Sequence, residues 1–438
     1  MGETTSRPQT IAVIGQGYVG LPLALLFVRK GFSVYGIDID AHKIATLLSG
    51  ESYLPDVPGA EVSRLLSTGR FHPTTRFELV NQADAIIICV PTPLDEAHHP
   101  DISYLESALD QIGNHLRPGQ LVMLESSTYP GTTRDFMAAR LERASGLVAG
   151  KDIHIGYSPE RIDPGNKQFP VETIPKVVSG LTDACLQAVK ELYSQVFDRL
   201  VPVSSPEVAE FTKLLENSHR FINISFMNEI ADICDKLNID VWEAVDAAKT
   251  KPFGFTPYYP GPGIGGHCIP VDPLYLQWKA ERAGRSSMFI QLADELNRSM
   301  PKSMAERVHH LLKSRFPNAD SPLRVLVYGV AYKKDINDVR ESPALELMAH
   351  LKDMGYETRY HDPYIAEVEI GGTVYRSVEL TDQILGQTHC TIIFTDHTQI
   401  PLDQIVKHSP IVLDTRNVTR DYGHLGHVYR IGAGQGPA

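Results

Sequence analysis

Three glycines near the beginning of the chain constrain its fold more than any other residues. Gly15, Gly17 and Gly20 form a GxGxxG motif between the apolar run TIAVI and the apolar stretch YVGLPLALLFVRKG. The first glycine permits a tight turn, the second lets the backbone approach a pyrophosphate, and the third allows strand and helix to pack closely. The start of the helix also offers N–H groups to phosphate oxygens. The motif predicts a strand–turn–helix unit that binds a dinucleotide.

An acidic residue supports this prediction and indicates which dinucleotide is bound. Asp38 closes the second predicted strand, FSVYGIDID, eighteen residues after Gly20. A carboxylate at this position can accept hydrogen bonds from the ribose hydroxyls and repels a 2′-phosphate, so the predicted cofactor is NAD rather than NADP. The other interpretation is a glycine turn in an unrelated α/β protein, in which Asp38 acts only as a cap.

The pattern along the rest of the chain predicts two α/β regions separated by helices. Further strands are expected at ADAIIICV, QLVMLESST and HIGYSP, and alternation of strands with helices implies a parallel sheet. Residues 206–248 and 273–312 have helical patterns. After the polar segment SRFPNADSP, strands are expected at LRVLVYGVAY, YETRYHDP, CTIIFTDH and PIVLDTRN, with a helix at SPALELMAHLKDMG. We therefore predict an α/β protein with two Rossmann-like, doubly wound parallel-sheet domains joined by a central helical domain.

Composition excludes several classes of function. The 438 residues suffice for two or three domains. A net charge of −12 argues against nucleic-acid binding. The sequence contains no run of about 18 apolar residues, so no membrane span is predicted. The polar N-terminus lacks a signal core, and five widely spaced cysteines favour a reducing compartment, so we expect a cytoplasmic protein. The absence of CxxC and HExxH motifs predicts no metal site.

One cysteine differs from the other four in its sequence context. Cys268 lies at the end of the glycine- and proline-rich loop YYPGPGIGGHCIPVDP, whereas Cys89 and Cys390 lie in strand-like apolar runs and Cys185 and Cys234 in helical patterns. A buried thiol behaves as a small apolar group. A thiol on a loop is a candidate nucleophile.

Other polar residues have two interpretations from the sequence alone. Thr92 and Thr128 follow predicted strands, where open sheets bind ligands, but an ordinary loop role explains either of them equally well. The turn GVAYKKD of the second α/β region could bind a phosphate-bearing ligand through Lys333 and Arg340, or could be a solvated loop. Lys213 and Asn217 share one face of a helix, which is either a functional stripe or a solvated face.

Taken together, the motifs resemble the nucleotide-sugar 6-dehydrogenase family, which includes UDP-glucose and GDP-mannose dehydrogenases. The matching runs occur in the family's order from residue 11 to about 417; they are GQGYVGLPLA, CVPTP, SSTYPGTT, SPER, EFTKLLENSHRFINISFMNE, GPGIGGHCIPVDP, GVAYKKDINDVRESPA and HDP. The forms SPERIDPGN and YPGPGIGGHCIPVDP are most similar to the branch that oxidises UDP-N-acetylhexosamines, and they favour UDP-N-acetylglucosamine as substrate.

The resemblance implies a domain organisation and a reaction. The implied domains are an NAD-binding Rossmann-like domain at 9–203, a central helical dimerisation domain with the cysteine loop at 204–313, and a UDP-sugar-binding Rossmann-like domain at 321–432. The implied reaction oxidises C6 of the sugar from alcohol to carboxylate and consumes two NAD. A cysteine thiolate captures the aldehyde, and a second hydride transfer leaves a thioester that water hydrolyses. A homodimer or higher homo-oligomer is expected.

The resemblance also assigns roles to individual residues. The implied catalytic residues are the nucleophile Cys268, the oxyanion-stabilising Lys213 and Asn217, the water-activating Glu160, and Asp272 and Thr128. The implied cofactor contacts are Gly15, Gly17, Tyr18, Val19, Gly20, Asp38, Lys43, Thr92, Thr128 and Arg340. The implied substrate contacts are Arg161, Ile162, Lys213, Asn217, Arg220, Gly265, Tyr332, Lys333 and Arg416.

The chain departs from the family pattern at two positions. Many members carry a second glutamate four residues after the first, where this chain has Pro164 beside Asp163. The basic residue that often precedes the family aspartate is Val271 here. His267 precedes Cys268 directly and is not assigned as the base of the thiol, because neighbours in sequence often point apart.

Alternative functions share parts of this pattern. UDP-N-acetylmannosamine and UDP-glucose differ from UDP-N-acetylglucosamine by one stereocentre or an acetamido group, which motifs do not resolve. A two-electron hydroxyacid dehydrogenase would share the first two domains but would need neither Cys268 nor the second α/β region. A non-catalytic regulator that binds NAD or a nucleotide sugar would not need Lys213, Asn217 and Cys268 together.

Overall fold

The computed structural model of the protein describes residues 10–95, 97–161, 170–319 and 322–434. These residues form two compact units. The N-terminal unit consists of Met1–Glu216 and Val271–Ser286, and the C-terminal unit consists of Asn217–Pro270 and Ser287–Ala438. None of the helices in the described ranges combines the length and the apolar composition that a lipid bilayer would require.

The secondary structure alternates between strands and helices in both units. The strands are β1 Thr10–Ile14, β2 Ser33–Ile37, β3 Phe71–Thr74, β4 Ala85–Ile88, β5 Leu121–Leu124, β6 His154–Tyr157, β7 Lys176–Gly180, β8 Leu200–Pro202, β9 Arg324–Tyr328, β10 Glu357–His361, β11 Glu367–Ile370, β12 Thr373–Arg376, β13 Cys390–Ile393, β14 Val412–Asp414 and β15 Val428–Arg430. The α-helices are α1 Gly20–Arg29, α2 Ala41–Leu48, α3 Gly59–Leu66, α4 Ser103–Gly113, α5 Ala139–Ser145, α6 Asp183–Tyr193, α7 Pro206–Leu237, α8 Val241–Ala248, α9 Asp272–Arg282, α10 Met288–Arg315, α11 Pro343–Asp353, α12 Asp382–Gln387 and α13 Leu402–His408. Short 3₁₀ segments lie at Phe77–Gln82, Val171–Thr173 and Arg420–Tyr422, and a π-helical segment lies at Thr132–Ala138.

The sheet of the N-terminal unit confirms the predicted parallel arrangement. Its strand order is β3-β2-β1-β4-β5-β6-β7-β8, and every neighbouring pair is parallel except β6 and β7. All strands predicted for this region form where expected. The sequence did not predict β3, β7 or β8, and two of them, FHPT and LVP, are too short to show a period of two and contain proline.

Alternation along the central strands explains why helices cover both faces of this sheet. Ile11 and Val13 of β1 belong to one buried cluster, whereas Ala12 and Ile14 belong to another. Successive side chains of a strand point to opposite faces, so each face needs its own apolar cover. The apolar side chains of α1 cover the first face, and those of α4 and α5 cover the second.

The helical segments are interrupted where the sequence analysis expected continuous helix. Asn238 adopts a left-handed conformation with φ of 56° after α7, and the side chain of Asp240 then caps α8. Gly284 has φ of 77° after α9, and Ser287 caps α10. Asparagine and glycine tolerate positive φ, and short polar side chains satisfy the first N–H groups of a new helix.

The C-terminal unit contains the predicted second parallel sheet. Its order is β10-β9-β13-β14-β15, and β11 and β12 form a separate antiparallel hairpin that the sequence did not predict. Gly329 ends β9 with φ of 82°, and its N–H donates to the His361 carbonyl at 2.8 Å. Gly15 donates to the Ile37 carbonyl at 2.7 Å in the same way, so both units use the same turn after their first strand.

The carboxylate after the second strand distinguishes the two turns. In the C-terminal unit, Asp362 accepts the N–H groups of Val330 at 2.7 Å and Ala331 at 3.0 Å, and it also contacts His397 Nε2 at 3.2 Å. This carboxylate therefore takes up backbone donors that a dinucleotide phosphate would otherwise use, which explains why this turn needs no GxGxxG motif.

A buried aspartate ties the helices of the C-terminal unit to the end of the chain. Asp235 on α7 contacts Arg307 at 2.5 Å and accepts the N–H groups of Gly432 and Gly434 at 3.1 and 3.0 Å. Its side chain is 2% exposed, whereas that of Asp232, which lies 3.6 Å from the same arginine, is 51% exposed. Loss of the Asp235 carboxylate would remove the partner of the largely buried Arg307 guanidinium and the acceptor of the Gly432 and Gly434 N–H groups.

We expect Asp235→Ala to lower the free energy of unfolding of the protein by about 3 kcal/mol, because it removes one partner of a buried charge pair. Asp232→Ala is the matched control and should cost less than about 1 kcal/mol, since its ion pair is exposed. Urea denaturation followed by fluorescence measures both. Equal losses in the two variants would contradict the importance of burial at Asp235.

Candidate active site

The glycine motif forms a tight backbone turn, and at Gly15 and Gly20 any side chain would overlap neighbouring backbone atoms. A Cβ atom on Gly15, whose φ is 90°, would lie 2.5 Å from the Cys89 carbonyl oxygen. A Cβ on Gly20 would lie 1.8 Å from the Gly15 carbonyl oxygen. A Cβ on Gly17 would meet no heavy atom of the described residues within 4 Å. The turn therefore has the close packing and the open approach that a pyrophosphate requires.

The residues around this turn fit NAD. Asp38 is buried, and its carboxylate accepts the N–H groups of Gln16 at 2.8 Å and Asp40 at 2.9 Å. Lys43 Nζ lies 3.8 Å from the same carboxylate. Tyr18 and Val19 lead into α1, whose first residue is Gly20. The carboxylate retains lone pairs for ribose hydroxyls, because each oxygen can accept more than one hydrogen bond.

The two predicted threonines lie at carboxyl ends of strands in the N-terminal unit. Thr92 is partly exposed after β4, and its carbonyl oxygen accepts a hydrogen bond from Tyr275 of α9 at 3.0 Å. Thr128 is fully buried after β5, and its hydroxyl donates to the Thr132 hydroxyl at 2.6 Å. The Thr128 side chain therefore links the loop after β5 to Thr132, the first residue of the π-helical segment.

Glu160 and Lys213 are brought together in the N-terminal unit. Both side chains are buried, and Lys213 Nζ donates to the Glu160 carbonyl oxygen at 2.6 Å. Arg161 donates its N–H to the Glu160 carboxylate at 2.6 Å, while its guanidinium contacts Glu216 at 2.5 Å. Asp272, also buried, occupies the first turn of α9, where the partial positive charge of the helix stabilises a carboxylate.

The Glu160 carboxylate contacts two residues that the sequence analysis missed. Lys176 Nζ lies 3.0 Å from Glu160 and 2.7 Å from Glu125, and all three side chains are buried. Burial raises the pKa of Glu125 to about 7, whereas Lys176 holds the pKa of Glu160 below its usual value despite burial. The sequence offered a signal for both residues, because Lys176 begins the strand-like run KVVSG and Glu125 ends the strand-like run LVMLE. Charged residues are rarely buried unless they are paired.

Glu210 on α7 is a second buried carboxylate that the sequence analysis missed. It accepts the N–H groups of Gly131 at 2.6 Å and Thr133 at 2.8 Å, and burial raises its pKa to about 7. It therefore holds the loop after Thr128 against the helix that carries Lys213. Its position three residues before Lys213 was the available signal.

The cysteine loop of the C-terminal unit is a glycine-dependent structure. Gly263 and Gly266 have φ of 118° and 90°, and a Cβ on Gly265 would lie 2.5 Å from the Glu341 carbonyl oxygen. Cys268 is partly exposed, whereas the other four cysteines are buried, as predicted. Close packing of the glycines thus fixes the backbone that leads to the partly exposed Cys268.

Two asparagines that the sequence did not single out anchor this loop. Asn228 of α7 accepts the Gly261 N–H at 2.8 Å. Asn297 of α10 accepts the Ile264 N–H at 2.7 Å and donates to its carbonyl at 3.0 Å. An asparagine amide can satisfy a backbone donor and acceptor at once, which gives an irregular loop fixed partners.

The loop that follows β9 packs on the cysteine loop within the C-terminal unit. The Gly266 N–H donates to the Arg340 carbonyl at 3.1 Å, and a Cβ on Gly266 would lie 2.6 Å from the Tyr332 ring. The Arg340 guanidinium contacts Asp338 at 2.6 Å and His267 Nδ1 at 3.0 Å. His267 is thus directed to Arg340, which agrees with leaving it unassigned as the base of the thiol.

Most of the remaining predicted residues also lie in this unit. Arg416 donates to the Phe394 carbonyl at 2.9 Å, and a Cβ on Gly261 would lie 2.9 Å from its guanidinium, which places it beside the cysteine loop. Lys333 is partly exposed in the loop after β9. Asn217 is buried and Arg220 is exposed on α7. Ile162, and the departures at Asp163 and Pro164, lie outside the described residues.

Each unit carries part of the predicted set of residues. The N-terminal unit has the dinucleotide turn, the buried carboxylate of Asp38 and the buried Glu160 and Lys213. The C-terminal unit has the partly exposed Cys268 at the end of a loop that packs beside Tyr332, Arg340 and Arg416. Within the described ranges, no group of three or more His, Cys, Asp or Glu side chains is arranged to hold a metal ion. These features define a nucleotide-dependent dehydrogenase.

Sequence models of the UDP-glucose/GDP-mannose dehydrogenase family match the chain over its NAD-binding domain at residues 9–197, its central domain at 207–299 and its UDP-binding domain at 326–421. The chain belongs to this family and is an NAD-dependent UDP-sugar dehydrogenase. The domain boundaries predicted from the sequence stay a prediction.

Similar proteins share most of the chain. Protein CapL of Staphylococcus aureus is 39% identical over 81% of this chain and 82% of its own length. UDP-N-acetyl-D-glucosamine 6-dehydrogenase of Pseudomonas aeruginosa is 36% identical over 81% and 83%, and UDP-N-acetyl-D-mannosamine dehydrogenase of Escherichia coli K12 is 32% identical over 94% and 99%. The solved UDP-D-ManNAc dehydrogenase of Pyrococcus horikoshii is 31% identical, with a TM-score of 0.88 over 97% of this chain and all of its own.

We expect Gly17→Ala to fold normally but to raise the KM for NAD roughly tenfold, a loss of about 1.4 kcal/mol in binding. The reason is that its Cβ would enter the open space where a pyrophosphate approaches. Gly386→Ala is the matched control, because its Cβ also meets open space but lies on α12. NADH kinetics and thermal denaturation test both. A normal KM in Gly17→Ala would contradict the assignment of the turn.

We also expect Asp38→Ala to weaken NAD binding roughly tenfold or more, because hydrogen bonds to a charged group contribute about 1.5–3 kcal/mol each. Asp38→Asn keeps an oxygen for the Gln16 N–H but removes the charge, so it should bind NAD better than the alanine variant and accept NADP better than the wild type. Titration of each variant with NAD and NADP measures this. An unchanged KM for NAD in Asp38→Ala would refute the role of Asp38.

Proposed function

We propose that the protein oxidises C6 of UDP-N-acetylglucosamine to the carboxylate, in two hydride transfers linked by a covalent adduct on Cys268. The observation that carries this proposal is the contrast between Cys268, which is partly exposed on a rigid glycine loop, and the other four cysteines, which are buried. A dehydrogenase that stops at the aldehyde needs no such thiol, whereas a four-electron oxidation needs a way to hold the aldehyde.

Each proposed catalytic residue has a defined part in the reaction. Bound NAD supplies the hydride acceptor in both oxidation steps. Lys213 and Asn217, one turn apart on the buried face of α7, stabilise the oxyanion that develops on the C6 oxygen. The Cys268 thiolate adds to the aldehyde carbon, and loss of the second hydride from the adduct leaves a thioester.

Hydrolysis of the thioester completes the proposed reaction. Glu160 accepts a proton from the attacking water, the water oxygen bonds to the acyl carbon, and the C–S bond breaks to release the Cys268 thiolate. Asp272 is proposed to help to hold the attacking water. Thr128 is proposed to maintain the geometry of the loop after β5 through its hydrogen bond to Thr132. The low pKa of Glu160, which is caused by Lys176, supports this role because a general base must be ionised.

We infer the binding residues by the same combination of resemblance and geometry. The proposed cofactor contacts are Gly15, Gly17, Tyr18, Val19, Gly20, Asp38, Lys43, Thr92, Thr128 and Arg340. The proposed substrate contacts are Arg161, Ile162, Lys213, Asn217, Arg220, Gly265, Tyr332, Lys333 and Arg416. The proposed domains keep the boundaries 9–203, 204–313 and 321–432, and the cytoplasm is the proposed compartment.

A homodimer is proposed from the surface of the central helices. Phe226, Ile233 and Leu237 are exposed along α7 at helical spacing, and Met288 and Phe289 are exposed at the start of α10. Large apolar side chains that share one helix face are typical of an interface between subunits.

UDP-N-acetylmannosamine is the second candidate substrate. The relative and the solved structure named for that sugar cover 94% and 97% of this chain, whereas the relative named for N-acetylglucosamine covers 81%. The two sugars differ in one stereocentre, so small differences in the sugar contacts decide between them.

A panel of UDP-N-acetylglucosamine, UDP-N-acetylmannosamine, UDP-glucose and GDP-mannose, scored by NADH formed per mole consumed, tests the proposal. Two NADH per UDP-N-acetylglucosamine would support it, and one NADH per substrate would favour a two-electron dehydrogenase.

We expect Cys268→Ser to lower turnover of the UDP-sugar alcohol roughly a thousandfold or more while it still binds NAD and the UDP-sugar, because the serine hydroxyl is a much weaker nucleophile. Cys234→Ala, at a buried thiol, is the control and should keep its activity. Steady-state kinetics and ligand titration give both quantities. Full activity in Cys268→Ser would remove the covalent step.

A further inference from the structure

Three charged side chains form a buried cluster in the N-terminal unit: the carboxyl groups of Glu160 and Glu125 and the ammonium group of Lys176. Lys176 on β7 contacts Glu160 at 3.0 Å and Glu125 at 2.7 Å, and the Tyr193 hydroxyl donates to the other oxygen of Glu125. The Lys176 ammonium also lies 5.2 Å from the centre of the Phe197 ring. Each group of the cluster has fixed partners, so its geometry is set by packing.

Such a cluster costs stability, which argues that it has a use. Replacement of a buried ion pair by apolar residues of similar size is often neutral or stabilising, because desolvation offsets the attraction. Two residues away along the same strands, Met123 and Val178 are buried in the apolar cluster on this face of the sheet, and the fold could have continued apolar side chains through the positions of Glu125 and Lys176. Glu160 is the member of the cluster whose backbone carbonyl also accepts a hydrogen bond from Lys213. The geometry therefore suggests that the cluster serves the proposed reaction through Glu160.

The charge of the cluster depends on a single proton. With both carboxyl groups ionised, the net charge is −1 in a buried site, which is unfavourable. Burial raises the pKa of Glu125 to about 7, and the pKa of Glu160 is lowered by Lys176 and by a side-chain hydrogen bond with Glu125. Below about pH 7 the proton therefore resides on Glu125 and leaves Glu160 ionised.

Three other titratable groups that face the two carboxyls are neutral, whereas the Lys213 ammonium adds a positive charge that helps to lower the pKa of Glu160. Burial raises the pKa values of the Cys89 thiol after β4 and of the Tyr157 and Tyr193 hydroxyls, so these groups are neutral. Lys213 approaches Glu160 from α7 but donates to its backbone carbonyl. Among the residues described, Lys176 is the cation that hydrogen-bonds both carboxyls.

We propose that Lys176 and Glu125 are positioning residues for thioester hydrolysis: Lys176 keeps Glu160 ionised and oriented to accept a proton from water, and Glu125 carries the proton that keeps the cluster neutral. This inference rests on the proposed function, since it assigns a partner to the proposed base. It requires no additional reactant, because the proton moves from water to Glu160 and the electron pair of the broken C–S bond leaves with the Cys268 sulfur.

The test separates hydride transfer from hydrolysis in the full-length protein. Wild type, Lys176→Met, Lys176→Arg and the surface control Lys190→Met are mixed rapidly with NAD and UDP-N-acetylglucosamine, or with the sugar that the substrate panel selects. NADH absorbance follows the two oxidation steps, and intact-mass spectrometry after acid quenching measures the acyl group on Cys268. Lys190 is exposed on α6 and loses the same charge in its variant.

The expected result is specific to hydrolysis. Lys176→Met should form its first NADH at close to the wild-type rate but hydrolyse the thioester at least about tenfold more slowly, so the acyl-enzyme accumulates. The acid limb of its hydrolysis profile should move to higher pH, because Glu160 loses its cation. Lys176→Arg should restore both properties, and Lys190→Met should match the wild type. An unshifted profile with normal hydrolysis in Lys176→Met, or equal slowing of both steps without rescue by arginine, would overturn the inference.

A second variant provides a readout that does not depend on catalysis. Because the pKa of Glu125 is raised in the folded state, its contribution to stability is present at low pH and is lost as the pH rises through about 7. Glu125→Gln cannot titrate, so its free energy of unfolding should fall less than that of the wild type between pH 5 and pH 8. Identical pH dependence in the two proteins would contradict the proton on Glu125. Absence of NADH in the wild type, or absence of an acyl group on Cys268 in every variant that forms NADH, would instead refute the proposed function.

Discussion

The structure depends on close backbone approaches that only glycine permits. Gly20 at the start of α1 lies so near the Gly15 carbonyl that any side chain would overlap it, and a Cβ on Gly329 would lie 2.5 Å from Thr395. The same constraint recurs at Gly265 in the cysteine loop. Each approach brings backbone groups, which are rigid and carry strong dipoles, to a place where a ligand or a reactive side chain is needed. Close main-chain packing thus shapes both the dinucleotide turn and the cysteine loop, and the side chains of Asp38, Asn228 and Asn297 add hydrogen bonds that fix them.

Helix α7 shows how function overrides ordinary amphipathic packing. Lys213 and Asn217 are buried, whereas Phe211 and Leu215 on the same helix are 40% and 53% exposed. A helix that followed burial energetics alone would reverse this pattern. Buried polar groups persist when they are hydrogen-bonded, as Lys213 is by the Glu160 carbonyl, and exposed apolar groups persist when another surface covers them. Lys213 and Asn217, the residues of the proposed oxyanion site, are thus buried on a helix that exposes large apolar side chains elsewhere.

The two α/β units show that the same turn can carry different hydrogen bonds from a carboxylate that follows the second strand. Both units close the turn after their first strand with a glycine that donates to the end of the second strand. Asp38 accepts one N–H group of its turn and keeps capacity for ribose hydroxyls, whereas Asp362 accepts two and is further engaged by His397. The two units of this protein therefore share a backbone turn but differ in how many of its N–H groups the carboxylate accepts.

The sequence by itself determined the strands that carry the sheets, the dinucleotide turn with Asp38, and the exceptional context of Cys268, because these depend on local periodicity and on residues that only certain backbones accept. It did not reveal the breaks at Asn238 and Gly284 or the short strands, since single residues and three-residue strands leave little periodic signal. The cluster of Lys176, Glu125 and Glu160, and the asparagine anchors of the cysteine loop, were decided only by the tertiary structure. Their members come from segments far apart in the chain, and the burial that gives them their energies exists only once those segments pack together.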